Sequence, residues 1–90
     1  IKVLNGSGTE GIAAAVKAIL EDSGMTVVKI ADNPEVIENT IIYVAEDGMG
    51  TDLLYHFDNA QIEVKELDEG IDIMVIVGSS DKELINTRQY

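Results

Sequence analysis

Residues 1–28 of the chain read IKVLNGSGTEGIAAAVKAILEDSGMTVV, and this stretch decides the fold. It opens on a short apolar strand, Ile1–Leu4, and continues through a glycine-containing turn into the clearest helix of the chain. Apolar residues at i, i+4, i+7 and i+8 place one hydrophobic stripe on that helix; they are Ile12, Val16, Ile19 and Leu20. Gly24 predicts the end of the helix, because glycine readily adopts the left-handed conformation found there.

A segment rich in β-branched residues, Met25–Ala31, follows the helix and predicts a second strand. Strand, helix and strand within about thirty residues form a βαβ unit, in which the strands are parallel and the crossover is right-handed. Ser7 and Glu10 have the spacing of a capping box, which places Glu10 in the first turn of the helix. The first third of the chain therefore predicts one complete supersecondary unit.

The rest of the chain extends this unit to the order β-α-β-β-α-β-β. The further predicted elements are a third strand, a short second helix, an amphipathic edge strand and an apolar closing strand covered on both faces, at Thr40–Ala45, Thr51–Asp58, Gln61–Leu67 and Asp72–Val77.

The fold class is therefore α/β, a single domain with a mainly parallel or mixed five-stranded sheet packed with two helices. The first, third and fifth strands are expected at the centre of the sheet, and the second and fourth at its periphery. A split βαβ arrangement of the ferredoxin type is the alternative topology. Residues 1–80 form the domain, and residues 81–90 form a polar tail.

Charge restricts the class of partner. Seventeen acidic residues face six basic ones, for a formal net charge of −11. Such a surface repels nucleic acid and anionic lipid, so neither is an expected partner. No apolar run reaches the roughly 18–20 residues that cross a bilayer, so this segment is not expected to insert into a membrane. Because the chain begins directly on a strand, we expect a domain excised from a larger protein, in which any anchor or targeting signal would lie upstream.

Catalytic and metal-binding groups are scarce in the sequence. His56 is the sole histidine and has no partner with nucleophile or metal-ligand spacing, so no catalytic role is expected for it. The chain has no cysteine, which excludes thiol chemistry. Two acidic turns, around Glu46-Asp47 and Glu66–Asp72, lack the EF-hand pattern. We therefore predict no enzyme activity, no cofactor and no metal site, with calcium at the acidic turns left open.

The turn Gly6–Gly11 has the form G-x-G-x-x-G between a strand and a helix, and Asp32 closes the next predicted strand. This pattern is typical of dinucleotide binding, in which the pyrophosphate lies on the helix N-terminus. However, such sites are built from several consecutive crossovers, and a glutamate at the helix start opposes a phosphate. A nucleotide-binding domain remains an alternative function.

The opening stretch also resembles the LytR C-terminal domain family. Members are similar in having an apolar strand, the motif N-G-[ST]-G, a helix of small residues and a glycine before the second strand. The later segments TIIYVA and DIMVIVG, at residues 40–45 and 72–78, resemble the third and closing strands of that family. The resemblance covers roughly residues 1–80, and its first half carries most of the specificity.

The resemblance implies an accessory module without activity of its own in a bacterial cell-envelope protein. The family domain commonly follows the LytR-CpsA-Psr catalytic domain, which transfers glycopolymers to peptidoglycan, or a transmembrane anchor. It would lie outside the cytoplasmic membrane, anchored through an upstream segment. Its implied partners are cell-wall glycan, a wall glycopolymer or another envelope protein.

Candidate ligand-binding residues follow from the predicted strand order. If the first and fifth strands are parallel neighbours, their carboxyl ends meet at one edge of the sheet, where ligands of such sheets bind. The residues at this edge offer amide, hydroxyl and backbone donors that suit neutral, hydroxyl-rich ligands; they are Asn5, Gly6, Ser7, Gly8, Ser79 and Ser80. It remains open whether these turns only satisfy their own backbones. A further alternative is a structural spacer or oligomerisation module that pairs through Gln61–Leu67.

Overall fold

The computed structural model describes residues 1–48, 50–57, 60–67 and 70–79, and for residues 52, 55 and 56 only the backbone. Within these residues, five strands, one α-helix and one short 3₁₀ helix follow in the predicted order. The elements are β1 Lys2–Asn5, α1 Ile12–Asp22, β2 Lys29–Asp32, β3 Ile41–Val44, the 3₁₀ helix Thr51–His56, β4 Gln61–Val64 and β5 Ile73–Val77. The predicted tail at residues 81–90 lies outside the described residues.

The five strands form one mixed sheet in the order β2-β1-β5-β3-β4. β1 pairs in parallel with both β2 and β5, β3 pairs in parallel with β4, and only β3 and β5 are antiparallel. The predicted central and peripheral strands are confirmed. The ferredoxin-type alternative is wrong, because β1 and β2 of the βαβ unit are direct neighbours.

Strands are shorter than predicted at several ends, most clearly at β2. The second strand begins at Lys29 rather than Met25. The residues just before it form hydrogen bonds with Ile1 instead. The Val28 amide donates to the Ile1 carbonyl at 2.9 Å, and the Ile1 amine donates to the Thr26 carbonyl at 3.2 Å. The prediction from β-branched residues therefore overestimated the length of this peripheral strand.

α1 ends at Asp22, and Gly24 terminates it as predicted. Gly24 has φ +91°. Its amide donates to the Glu21 carbonyl at 3.0 Å, and the Met25 amide donates to the Leu20 carbonyl at 3.0 Å. These two bonds form a Schellman motif, which satisfies carbonyls that the last helical turn leaves without a partner.

The predicted capping box at the start of α1 is wrong. The N-cap is Gly11, in the left-handed conformation with φ 86°, and no side chain caps the helix. Ser7 and Glu10 lie in the preceding turn, and the first turn of α1 contains no acidic residue. The spacing alone was misleading, because the turn continues through Gly11 before the chain becomes helical.

The predicted second α-helix is instead a 3₁₀ helix, Thr51–His56. It follows Gly50, which has φ 78°, and it ends where Phe57 becomes extended. Leu53 and Phe57 are buried, whereas Leu54 is 38% exposed. A single short element with two buried anchors has too few packed residues to favour a longer α-helix.

The main core lies on one face of the sheet, beneath α1 and the 3₁₀ helix. Inward-facing residues from three central strands meet the apolar stripe of the helix; the fully buried ones include Val3, Ile12, Val16, Leu20, Ile42, Val44, Val75 and Val77. Leu53 and Phe57 belong to the same cluster. The 3₁₀ helix therefore packs on the face that α1 covers.

The opposite face of β5 is less covered than predicted. Met74 and Ile76, which alternate with the buried Val75 and Val77, are half-buried. In the part of the chain that the structure describes, no helix packs over them. The expectation of a closing strand covered on both faces is therefore met on one face only.

Candidate functional site

The carboxyl ends of β1 and β5 meet at one edge of the sheet. Asn5, the last residue of β1, lies opposite Val77, the last residue of β5. The Gly6 amide then donates to the Val77 carbonyl at 2.9 Å. Parallel pairing thus places the glycine turn beside the end of β5.

Side chains inside the glycine turn bond to one another. The Ser7 hydroxyl donates to Asn5 Oδ1 at 2.6 Å, and the Ser7 amide donates to the same oxygen at 3.1 Å. Asn5 Nδ2 donates to the Thr9 carbonyl at 2.8 Å, while the Thr9 amide donates to Ser7 Oγ at 3.0 Å. Ser7 is only 5% exposed. Asn5 and Ser7 therefore build the turn, and its exposed members are Gly8, Glu10 and Gly11.

Residues 33–40, here called the crossing segment, bridge the two carboxyl ends. The Ile37 amide donates to the Gly6 carbonyl at 2.8 Å, and the Ser79 amide donates to the Ile37 carbonyl at 2.8 Å. Farther back, the Asn33 amide donates to the Asn5 carbonyl at 3.0 Å. Ser79 is thus joined to the glycine turn through one residue, Ile37. Ser80 lies outside the described residues.

Sequence reasoning missed the crossing segment, although the strand order requires it. β2 lies at one margin of the sheet, and β3 lies beyond both β1 and β5. A link from the end of β2 to the start of β3 must therefore pass the carboxyl ends of β1 and β5. The crossing could have been inferred from the prediction that the first and fifth strands are neighbours.

Gly78 allows this crossing at close range. A Cβ there would lie 2.5 Å from both the Asn39 carbonyl carbon and the Glu38 carbonyl oxygen. The Gly78 amide donates to Thr40 Oγ1 at 2.9 Å, in a fully buried position. Position 78 therefore requires glycine, because any side chain there would clash with the backbone of the crossing segment.

A shallow depression of about 340 Å³ remains beside the glycine turn, and we call it the edge depression. It lies between the turn and the start of the crossing segment, and its lining residues are Asn5, Gly8, Thr9, Glu10, Asp32, Asn33 and Val36. A second depression of about 240 Å³ adjoins it through Asn5 and Asp32. The edge depression has two carboxylates and no basic side chain in its lining.

The edge geometry is unfavourable for a pyrophosphate. Gly8 lies under Val36, whose Cγ2 would be 3.4 Å from a Cβ at that position. Glu10 and Asp32 line the same depression. A phosphate that approached the glycine backbone would thus contact the apolar Val36 side chain and would be repelled by the two carboxylates.

Metal ligands do not gather in the described part of the chain. No three His, Cys, Asp or Glu residues there lie close enough to hold a metal ion. The Glu66–Asp72 turn falls partly outside the described residues, at 68 and 69. The His56 side chain also lies outside them.

Comparison with known proteins assigns the chain to a family. A family model described as LytR cell envelope-related transcriptional attenuator matches residues 1–80. The chain belongs to the LytR C-terminal family. No match was found among curated proteins or among solved structures.

Membership of the LytR C-terminal family makes this chain an accessory domain of cell-envelope proteins rather than a member of a known catalytic family. The match has the same bounds, residues 1–80, over which the sequence resembles the family. Within the described residues, no helix combines the length and apolar character that crossing a bilayer requires.

Proposed function

We propose that this domain is a non-catalytic binding module that contacts cell-wall glycan or a wall glycopolymer through the edge depression. The protein that carries it would be anchored upstream and would present the domain outside the cytoplasmic membrane. Family membership supports the cell envelope as the setting. The composition of the edge depression is the observation that carries the choice of ligand.

The edge depression suits a neutral, hydroxyl-rich ligand. Glu10 and Asp32 offer carboxylate acceptors to sugar hydroxyls, and charge-assisted hydrogen bonds of this kind are among the stronger ones. Val36 is 68% exposed and offers an apolar contact to the C–H face of a sugar ring. Because no lysine or arginine lines the depression, an anionic group there would be repelled by Glu10 and Asp32 with no positive charge to balance them.

Exposure of the two carboxylates supports binding rather than chemistry. Glu10 and Asp32 both lie in exposed positions. Carboxylates that act as general acids usually owe their altered proton affinity to burial or to a close charged neighbour. We therefore assign reversible hydrogen bonding, and no bond cleavage, to this pair.

Co-sedimentation with purified peptidoglycan tests the proposal. Wild-type domain should pellet with the wall, and Asp32→Ala and Glu10→Ala should each lower the bound fraction several-fold. Asp47→Ala is the matched control, because it removes the same charge beyond β3, whose carboxyl end lies at the opposite edge of the sheet. Walls with and without attached glycopolymer would identify which component is bound. Equal pelleting of all three variants would contradict the proposal.

A spacer or oligomerisation module is the second candidate, and the outer edge of β4, which pairs with no other described strand, favours it. β4 is the last strand of the sheet, and Val64 on it is 57% exposed. An unpaired, partly apolar edge can accept a strand from another chain. Sedimentation velocity should then show dimer formation that Val64→Lys abolishes. A monomer at all concentrations would eliminate this candidate.

A further inference from the structure

The face of the sheet opposite α1, here called the open face, has an apolar centre. Alternation along each strand assigns ten strand positions to it. In strand register they form two rows, Lys29-Lys2-Met74-Tyr43-Glu63 and Ala31-Leu4-Ile76-Ile41-Gln61. The second row is an apolar stripe across four neighbouring strands, about 14 Å wide at the usual strand spacing.

Both helical elements lie on the other face. α1 covers the face of Val3 and Val75, with which it shares the core. The 3₁₀ helix does the same, since a Cβ at the preceding Gly50 would contact the Val44 and Leu53 side chains. Among the described residues, the open face is therefore a sheet surface on which no helix packs.

The open face is basic although the chain is strongly acidic. Lys29 and Lys2 are neighbours at one end of its first row. Lys65 places its Nζ 4.6 Å from the centre of the Tyr43 ring. Glu63 is the one acidic residue at the ten strand positions. Three of the five lysines in a chain of net charge −11 thus gather around one apolar surface.

Two of these lysines share a depression with apolar residues. Lys2 and Lys65 line a hollow of about 190 Å³ at one end of the open face. Its remaining lining residues are Glu66, Leu67, Ile71 and Met74. Neither lysine forms an ion pair with another described residue. Ammonium groups beside apolar side chains are positioned to receive carboxylates attached to an apolar scaffold.

We propose that the open face is a docking surface for an acidic, amphipathic polypeptide segment of a partner protein. Such a segment covers the apolar stripe with its hydrophobic side chains and presents carboxylates to Lys2, Lys29 and Lys65. A phosphate-rich polymer would satisfy the lysines but would leave the stripe in water. A second copy stacked open face to open face would bring lysines together, which opposes association.

The test uses a synthetic helical peptide with leucines on one side and glutamates on the other. Titration into the ¹⁵N-labelled domain should shift the amide signals of Leu4, Tyr43 and Met74. The combined Lys2→Gln, Lys29→Gln and Lys65→Gln substitutions should weaken binding about tenfold. Lys17→Gln, on α1 and so on the other face, is the matched control and should bind as wild type. The amide spectrum of each variant reports its folding, and Lys29→Gln alone, at an exposed position, gives a partial effect if the triple variant fails to fold.

Several results would overturn this inference. They are equal binding of a peptide with glutamine in place of glutamate, shifts confined to the α1 face, and binding of inorganic polyphosphate in preference to the peptide. Concentration-dependent shifts at the open face without peptide would assign the surface to a second copy instead. Because the edge depression lies elsewhere, failure here leaves the proposed glycan contact untouched.

Discussion

At Gly78, the chain has no room for even one more carbon atom. The crossing segment lies over this residue, so that an added Cβ would lie 2.5 to 2.7 Å from backbone atoms of residues 38–40. Backbone held by hydrogen bonds at Ile37 and Thr40 cannot move away without breaking them. The closing glycine of the family resemblance thus has a physical role, which is close contact between two backbones.

Gly78→Ala should therefore destabilise the domain by about 2 kcal/mol or more, as overpacking of a tight site does. Gly24→Ala is the control, because its Cβ would meet nothing within 4 Å and costs only the left-handed strain at φ +91°, about 1 kcal/mol. Urea unfolding of both variants measures the difference. If Gly78→Ala proves no more costly than Gly24→Ala, the close crossing is wrong.

Among the elements, the β1–α1 turn carries the strongest sequence motif, and its side chains form several local hydrogen bonds. Its side-chain groups on Asn5 and Ser7 are bonded within the turn, and the crossing segment occupies its Gly6 carbonyl. The same glycines that match a dinucleotide motif here support a compact turn and a left-handed N-cap at Gly11. The motif is thus accounted for by backbone geometry alone.

Nucleotides should accordingly leave the melting temperature unchanged. A ligand that binds only the native state stabilises it by mass action and so raises Tm. At a free ligand concentration of one hundred times Kd, the gain in unfolding free energy is about 2.7 kcal/mol. NAD, FAD and ATP at millimolar concentration should each give a flat response in a thermal melt. A reproducible rise with any of them, lost in Gly8→Val, would restore the nucleotide alternative.

How far the elements could be predicted depends on how local their signals are. The strand, helix and strand from Lys2 to Asp32 follow from periodicity and from Gly24, because these signals act within a few residues. The start of α1 was misplaced, since a capping box and an Asn5–Ser7 turn use the same residue types. The crossing segment has no local signature, and only the complete strand order reveals it.

Similar limits apply to the candidate site. Convergence of Asn5 and Ser79 could be predicted because it depends only on parallel pairing of β1 and β5. The side chains that line the edge depression beyond the turn could not, since Asn33 and Val36 reach it through the path of the crossing segment. The separation of Asn33 and Val36 from the glycine turn in the sequence does not predict the path of the crossing segment.

For the whole molecule, charge is the dominant feature. A net charge of −11 on ninety residues makes the folded state repel itself at neutral pH and low ionic strength. The first turn of α1 contains no acidic residue, so no carboxylate there gains stability from the helix dipole to offset this repulsion. Self-repulsion should therefore determine how stability responds to pH.

Stability should rise as pH falls from 7.5 to about 5, because partial protonation lowers the net negative charge. A gain of about 1 kcal/mol corresponds to roughly 4–8 °C in Tm for a domain of this size. Sodium chloride at pH 7.5 should produce much of the same gain through screening. Loss of stability over this pH range in low salt would show that carboxylate interactions outweigh repulsion.

Calcium provides the matching control for the acidic turns. At equal ionic strength, calcium chloride and sodium chloride should stabilise the domain to a similar extent if calcium acts only by screening. A much larger effect of calcium would reveal a specific site.

Titration of the ¹⁵N-labelled domain with soluble peptidoglycan and glycopolymer fragments tests the binding module most directly. We predict that amide signals of Gly8, Glu10 and Asp32 shift progressively with wall fragment and that Asp32→Ala suppresses the shifts. Signals beyond β3, at Glu46 and Asp47, should stay fixed and serve as the internal reference. A spectrum in which no signal around the edge depression moves, at fragment concentrations up to several millimolar, would contradict the proposed function.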